Sequence, residues 1–354
     1  MSKKTQNWAV PLIAVLLGML VGAVLMLIFG YDPFWAYYDL FSTAFGSLKH
    51  IGEILRAMSP LILIALGFSV AKAGLFNIGL PGQALAGWTS AVWFALAFPE
   101  LPKVVSIVCT VIIGLVAGGI TGAVPGILRA YLGTSEVIVT IMMNYIILYV
   151  ANNIVRFGFT ADMLRSSEAS NRVSASASYQ TDFLSSLTDG SRFNIGFFLA
   201  IVAVFLVWFM LKKTTTGFEI TSVGFNPNAS EYAGISSKRV IIMSMIISGA
   251  LCGLGGTVEG LGTFQNAFVQ NSSLAIGWNG MAISLLAANS PIGIPFAALL
   301  YGVLSVGKTG MIGVPSEIID VVSALIIFFV GANYIIKYWI RPRHKSVKAK
   351  GGQN

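Results

Sequence analysis

Ten apolar runs, most of them close to twenty residues long, dominate this chain of 354 residues. The hydrocarbon core of a bilayer takes ~20 consecutive apolar residues to cross as a helix. No water inside that core can satisfy a stray backbone N–H or C=O, so such runs are helical. The runs fall at 8–29, 51–73, 77–98, 104–124, 135–155, 195–211, 240–261, 277–288, 292–306 and 316–336. The first is too long for a signal-peptide core and lacks a small-residue cleavage site, so it reads as a retained helix. The eighth, at 12 residues, is too short to cross by itself and reads as a half-helix. Only 10% of residues are charged and the mean hydropathy is +0.80, against about a quarter charged in soluble domains. A soluble enzyme, a disordered chain and a fibrous repeat are all excluded. The fold class is an all-α polytopic membrane protein, one transmembrane domain over 1–354.

Charge placement orients it. With the N-terminus inside, one side collects 14 of the 22 Lys and Arg residues, including Lys72, Arg129, Lys212, Lys213, Lys238, Arg239 and the basic tail 337–354. That bias puts both termini on the cytoplasmic side, and the tail reads as an anchor against anionic lipid heads. The net charge of +8 therefore belongs to membrane topology, and no nucleic-acid partner is expected. Cys109 and Cys252 lie inside apolar runs as small packing residues. His50 and His344 stand far apart, away from any carboxylate cluster, so no metal site is expected.

Two connections are long. Residues 156–193 form a Ser-rich extracytoplasmic loop, too small to be a domain. Residues 212–239 form a cytoplasmic loop containing Asn226-Pro227-Asn228-Ala229-Ser230-Glu231-Tyr232-Ala233-Gly234. Asn suits a helix cap, Pro the first helical position and Gly the left-handed stop, which spells a two-turn helix over 227–233.

Two short echoes link runs five apart. Ile78-Gly79-Leu80-Pro81-Gly82-Gln83-Ala84 is matched by Ile276-Gly277-Trp278-Asn279-Gly280-Met281-Ala282, and Ser135-Glu136-Val137-Ile138 by Ser316-Glu317-Ile318-Ile319. An odd shift inverts the second copy, so the expected plan is a leading helix, spans 2–5 (to residue 155), a linking span, and an inverted copy in spans 7–10 (240–336). Inverted repeats with interrupted helices mark transporters.

Gly302-Val303-Leu304-Ser305-Val306-Gly307-Lys308-Thr309 fits the phosphate-loop pattern letter for letter. It lies in an apolar span, without the strand that such a loop must follow, and reads as coincidence. The chain has no motor of its own. The carboxylates Glu53, Glu136, Glu259, Glu317 and Asp320 all fall near predicted span ends, unlike the midplane relay of an ion-coupled carrier. Mid-span polarity rests instead on the amides Gln83 and Asn144, either as interhelical glue or as a path for an uncharged solute. Trp88, Trp93 and Trp278 suit either an interfacial belt or stacking on a flat ring. Glycine clusters at 118–119 and 253–256 read as close helix packing. On these residues alone, an ion-coupled carrier and a passive channel for a neutral polar solute stay open.

Phe76-Asn77-Ile78-Gly79-Leu80-Pro81-Gly82-Gln83 resembles the FNIG-x-x-GQ signature of permeases in bacterial binding-protein-dependent ABC importers of the branched-chain amino acid/ribose superfamily. Gly133-Thr134-Ser135-Glu136-Val137-Ile138 with Met142-Met143-Asn144-Tyr145 is similar to the NEVI…MLNYI stretch of the nucleoside and simple-sugar branch. Gly224 to Ile235 resembles that family's G-x-N-x-x-A-A-x-Y-A-G-I, and Gly277 to Ala282 its G-[FY]-[DN]-G-I-A. Pro81 departs from a common acidic residue and Ser230 from a common Ala.

The resemblance implies a type II ABC importer-like fold and a permease subunit for nucleosides, or for ribose-like simple sugars, in the bacterial cytoplasmic membrane. Its implied partners are a second permease, a cytoplasmic ATPase with two nucleotide-binding domains carrying ATP and Mg, and an extracytoplasmic substrate-binding lipoprotein. This chain is then no enzyme and holds no cofactor. Asn226, Pro227, Glu231, Tyr232 and Gly234 become the coupling helix, and Asn77, Gln83, Trp88, Asn144, Trp278 and Asn279 the substrate pathway.

Overall fold

The computed structural model describes residues 3–71 and 74–331. The basic tail and Lys72 lie outside the described residues. Helices occur wherever an apolar run predicts one. In chain order they are α1 (Lys3–Ile28), α2 (Pro33–Phe45), α3 (Leu48–Val70), α4 (Leu80–Ala97), α5 (Lys103–Leu132), α6 (Glu136–Asn153) and α7 (Asp182–Leu187). Then follow α8 (Gly196–Lys213), α9 (Thr215–Phe225), α10 (Pro227–Tyr232), α11 (Ser237–Val258), α12 (Ala275–Leu286), α13 (Ile294–Gly307) and α14 (Ser316–Gly331).

Two compact units emerge, residues 1–37 with 313–354, and residues 38–312. In the first, α1 packs along α14, and the Tyr37 hydroxyl donates to the Met19 carbonyl at 2.7 Å. The second holds the candidate site. Its apolar stretches on α3 and α11 are 72% and 67% buried, against 28% for α5 and α8 and 22% for α6. Thus α3 and α11 are interior, while the outer faces of α5, α6 and α8 are left for lipid or another subunit.

Glycines set the closest contact. Gly114, Gly118 and Gly122 on α5 recur every four residues and meet Gly249 and Gly253 on α11. A Cβ on Gly253 would collide with the Gly114 carbonyl oxygen and stand 2.8 Å from Gly118 Cα. On its other side Gly253 touches Gly87 of α4, and the Thr257 hydroxyl bonds both the Gly87 and Gly253 carbonyls at 3.3 and 3.0 Å. Lipid tails are as apolar as leucine, so helices here associate through backbone-close van der Waals contact.

Several segments differ from the sequence reading. Helices α2 and α9 were not anticipated; both flank longer apolar runs and are too short to stand out by hydropathy. The 156–193 segment is structured, with strands β1 (Leu164–Ser166) and β2 (Ala169–Ser170) and helix α7. It is tied to residues 261–269 by Ser170 N to Ala267 O (2.8 Å), Val173 N to Gln265 O (2.8 Å) and Tyr179 N to Leu261 O (3.2 Å). Tyr179 is fully buried, and burial pushes its phenol above the usual range. Residues 302–307 are helical and 308–310 form a 3-10 turn, so the phosphate-loop match has no loop whose amides could cradle an anion. Helices α12 and α13, with 12 and 14 residues, reach about 18 and 21 Å, short of a full crossing.

Candidate functional site

The chain breaks from helix between α3 and α4, and residues 75–79 run non-helically through the interior. Backbone leaving a helix in apolar surroundings must find other partners. Here the amide side chains supply them. Asn77, fully buried, donates through Nδ2 to Gln83 Oε1 (3.0 Å) and Ser248 Oγ (2.8 Å). Its Oδ1 accepts from the Gly79 N–H (2.9 Å) and Gln83 Nε2 (3.3 Å). Asn144 on α6 accepts from the Gly82 N–H at 2.9 Å and donates to the Ile78 carbonyl at 2.9 Å. Thr140 Oγ1, one turn earlier, accepts from the Ile78 N–H at 3.3 Å. Pro81, in the first turn of α4, has no N–H to satisfy.

Asn77, Gln83 and Asn144 are therefore brought together as a bracket around the start of α4. All four hydrogen-bonding positions of Asn77 are occupied. In this conformation these amides hold helices; contact with a solute requires them to exchange partners. Gly277 of α12 rests on Pro81, where an added Cβ would stand 2.5 Å from Pro81 Cα. The two echoed segments thus touch in space at the N-terminal ends of α4 and α12. Next along α12, Trp278 is exposed and Asn279 donates from Nδ2 to the Tyr301 hydroxyl at 2.5 Å. Neither joins the bracket through a hydrogen bond.

Trp88, further along α4, belongs to a different place. It is 3% exposed, donates from Nε1 to the Asn266 carbonyl (2.9 Å) and stacks on Phe264 with centroids 5.0 Å apart; Phe268 meets it edge-on at 5.4 Å. These rings, with Glu259, Gln270 and Ala275 at the start of α12, line an open cavity of about 160 Å³. Glu259 opens a π-helical turn, Glu259–Phe264, that widens the end of α11; such turns are frequent at functional sites. Its Oε2 accepts from Thr263 (3.0 Å), and Thr263 in turn accepts from Arg56 (3.2 Å). Arg56 pairs with Glu53 at 2.6 Å, and Glu53 also holds the Arg192 N–H (2.8 Å) and guanidinium (3.2 Å). Two arginines and two glutamates balance, which makes their partial burial tolerable.

This cavity was missed in the sequence because its walls lie far apart along the chain. The one local signal was a carboxylate followed by Gly260-Leu261-Gly262-Thr263-Phe264 at the end of an apolar run, since glycine, threonine and an acid there disturb helix packing.

The 226–234 segment adopts the local structure its residues prescribe. Asn226 Oδ1 accepts from the Ala229 N–H at 3.1 Å, Pro227 starts α10, and Gly234 stops it at φ +84°. Glu231 is exposed, and Tyr232 and Phe225 are 95% and 87% exposed. Two uncovered aromatic side chains, one just before α10 and one at its last position, stand on the same loop. Ser237 Oγ on α11 donates to the Pro227 carbonyl at 3.0 Å, which ties α10 to the interior helix.

The family described as "Branched-chain amino acid transport system / permease component" matches residues 50–331. The nucleoside ABC transporter permease protein NupB of Lactococcus lactis subsp. cremoris is 53% identical, covering 99% of this chain and 97% of that protein. The guanosine ABC transporter permease protein NupP of Bacillus subtilis is 42% identical, over 96% and 97%. NupC, a second nucleoside permease protein of the same Lactococcus, is 23% identical over 72% and 80%.

Proposed function

This chain belongs to the branched-chain amino acid transport-system permease family, and we propose that within it the chain is a permease subunit of an ATP-driven nucleoside importer. The observation that carries this reading is 53% identity to a nucleoside permease along nearly the whole of both chains. It is a multi-pass protein of the cytoplasmic membrane. Both termini face the cytoplasm, ten helices cross or enter the bilayer, and spans 7–10 repeat spans 2–5 upside down. Support for that plan comes from the Lys/Arg bias, the short α12 and α13, and the meeting of Gly277 with Pro81. The segments 156–193 and 212–239 are the extracytoplasmic loop and the coupling loop of one permease domain.

Its partners are a second permease, by analogy with the NupB and NupC pair of names, a cytoplasmic ATPase carrying ATP and Mg, and a substrate-binding lipoprotein. Glu231 and Tyr232 dock α10, capped by Asn226, Pro227 and Gly234, into the ATPase. The mechanism is alternating access. Closure of the ATPase dimer displaces α10, and the Ser237–Pro227 bond passes that displacement to α11. Helix α11 runs against α3, α4 and α5 and ends in the π-turn beside Trp88. One interior element therefore connects the docking loop to the cavity at its opposite end. Rearrangement of the bracket, with Asn77, Gln83 and Asn144 exchanging partners, opens the pathway past Trp278 and Asn279 to the other side.

The test is uptake of radiolabelled nucleosides into proteoliposomes, with and without the ATPase, the second permease, the lipoprotein and ATP, in competition with ribose. ATP-dependent nucleoside uptake that ribose leaves unchanged is expected. Uptake by the lone chain that an ionophore abolishes, or downhill flux with no energy source, would overturn the reading.

A further inference from the structure

We propose that the cavity at the end of α11 reads the base of a purine nucleoside during transport: Phe264 and Trp88 present the stacking wall, and Glu259 and Gln270 contact the base edge. The inference rests on the nucleoside reading above and adds a place and a selectivity to it.

Three observations converge. The first is shape. Trp88, Phe264 and Phe268 form an aromatic wall around about 160 Å³, and an apolar cavity of ~150 Å³ takes up a benzene ring. One flat ring system fits; the sugar must lie outside. The second is the groove that continues past Gln270, about 390 Å³, lined by Tyr149, Asn153, Arg156 and Asn271. Gln270 lines both spaces, so a ring held by the aromatic wall leaves its substituent facing a polar channel.

The third is the state of the polar groups. Asn152 grips the Gln270 backbone from both sides, accepting from its N–H at 2.8 Å and donating to its carbonyl at 2.8 Å. The Gln270 carboxamide itself has no hydrogen-bond partner among the described residues. A backbone fixed twice, carrying an uncommitted amide at the mouth of a cavity, is preorganised to recognise a ligand. Glu259 is 8% exposed, and among the described residues only its Oε2 is hydrogen-bonded, to Thr263. Its Oε1 retains acceptor capacity inside the cavity.

Stacking alone is indifferent to the base, because each base has a π-face. Selectivity comes from the edge. A carboxylate beside a carboxamide matches a ring presenting adjacent N–H donors together with an acceptor, which is the edge of a guanine-type purine. A pyrimidine covers less of the aromatic wall and spans the two polar groups less well.

The experiment uses the assembled importer in proteoliposomes, with the lipoprotein in excess and saturated, so that its own selectivity is common to every variant. Initial rates of guanosine and uridine uptake are compared for wild type, Phe264→Leu, Phe264→Tyr and Gln270→Leu. The guanosine-to-uridine ratio is expected to fall roughly ten-fold in Gln270→Leu, the scale of one lost polar contact. Phe264→Leu removes a stack common to both bases and should slow uptake of both nucleosides, and Phe264→Tyr, which keeps the ring, should restore it. A single size-exclusion peak with the wild-type thermal midpoint reports that each variant folds. An unchanged ratio in folded Gln270→Leu, or wild-type uptake rates in folded Phe264→Leu, would overturn the assignment of the cavity. A wild-type importer that carries neither nucleoside would instead overturn the nucleoside reading itself.

Discussion

Replacing Asn144 by Leu separates two roles for a mid-span amide, holding helices or lining a path. The variant removes two hydrogen bonds of 2.9 Å, one to the Gly82 N–H and one to the Ile78 carbonyl. An interhelical hydrogen bond in a membrane contributes about 0.6 kcal/mol on average, which sets a floor near 1 kcal/mol for the pair. Leaving a buried backbone group orphaned costs ~1–3 kcal/mol, and here two are orphaned at a helix start. The expected loss is about 3 kcal/mol, or roughly 6–12 °C in unfolding midpoint. Asn144→Asp keeps the acceptor for Gly82 but sets a carboxylate oxygen against the Ile78 carbonyl, so it should fare no better. Met142→Leu, exposed on the same helix, is the control and should melt with wild type. The assay is size-exclusion chromatography of detergent-solubilised protein after graded heating, followed by the guanosine-to-uridine uptake ratio of whatever folds. A bracketing residue lowers the midpoint and leaves that ratio alone. An Asn144→Leu protein that melts like wild type would refute the bracket.

Gly253→Ala should cost about 3 kcal/mol, because overpacking costs ~1–3 kcal/mol and the new methyl would meet only α5 backbone, at Gly114 and Gly118, with no side chain that can give way. Gly119→Ala, whose nearest neighbour would be 3.6 Å away, should be neutral or better by the same thermal assay. The double variant Glu231→Arg with Tyr232→Ala should abolish ATP-dependent uptake while the protein still inserts in the membrane. Arg56→Met should destabilise by about 1–2 kcal/mol, since Glu53 keeps Arg192 but loses its 2.6 Å partner. Glu168→Gln, which removes the exposed Arg156 pair at 3.0 Å, should shift the midpoint by less than about 0.5 kcal/mol in stability.

Local chemistry made much of this protein legible from its residues. Apolar runs near the length of a bilayer core become helices because the backbone has no other way to satisfy itself. Asn226, Pro227 and Gly234 start and stop α10 as their individual preferences require. The glycines at 118 and 253 were readable as packing residues for want of side chains. Helices α2 and α9 escaped notice because their short, mixed segments have neither the length nor the uniform apolarity that marks a crossing.

What the chain order left open was which polar groups find one another. Gln83 and Asn144 read equally as glue or as pathway until folding set Asn77 against Ser248, 171 residues away, and Asn144 beneath the first turn of α4. Trp88 read as an interfacial aromatic or as a surface for stacking a flat ring until α11 brought Phe264 onto its face. Glu259 looked like a carboxylate at a span end, and the π-turn buries it beside Thr263 and Arg56. The helix within each long apolar run follows from hydrogen bonds that the run satisfies within itself, so the sequence determined those helices alone. Amide brackets and aromatic cavities are built from contacts between distant runs, and only the packing of α3, α4, α6, α11 and α12 against one another decided those.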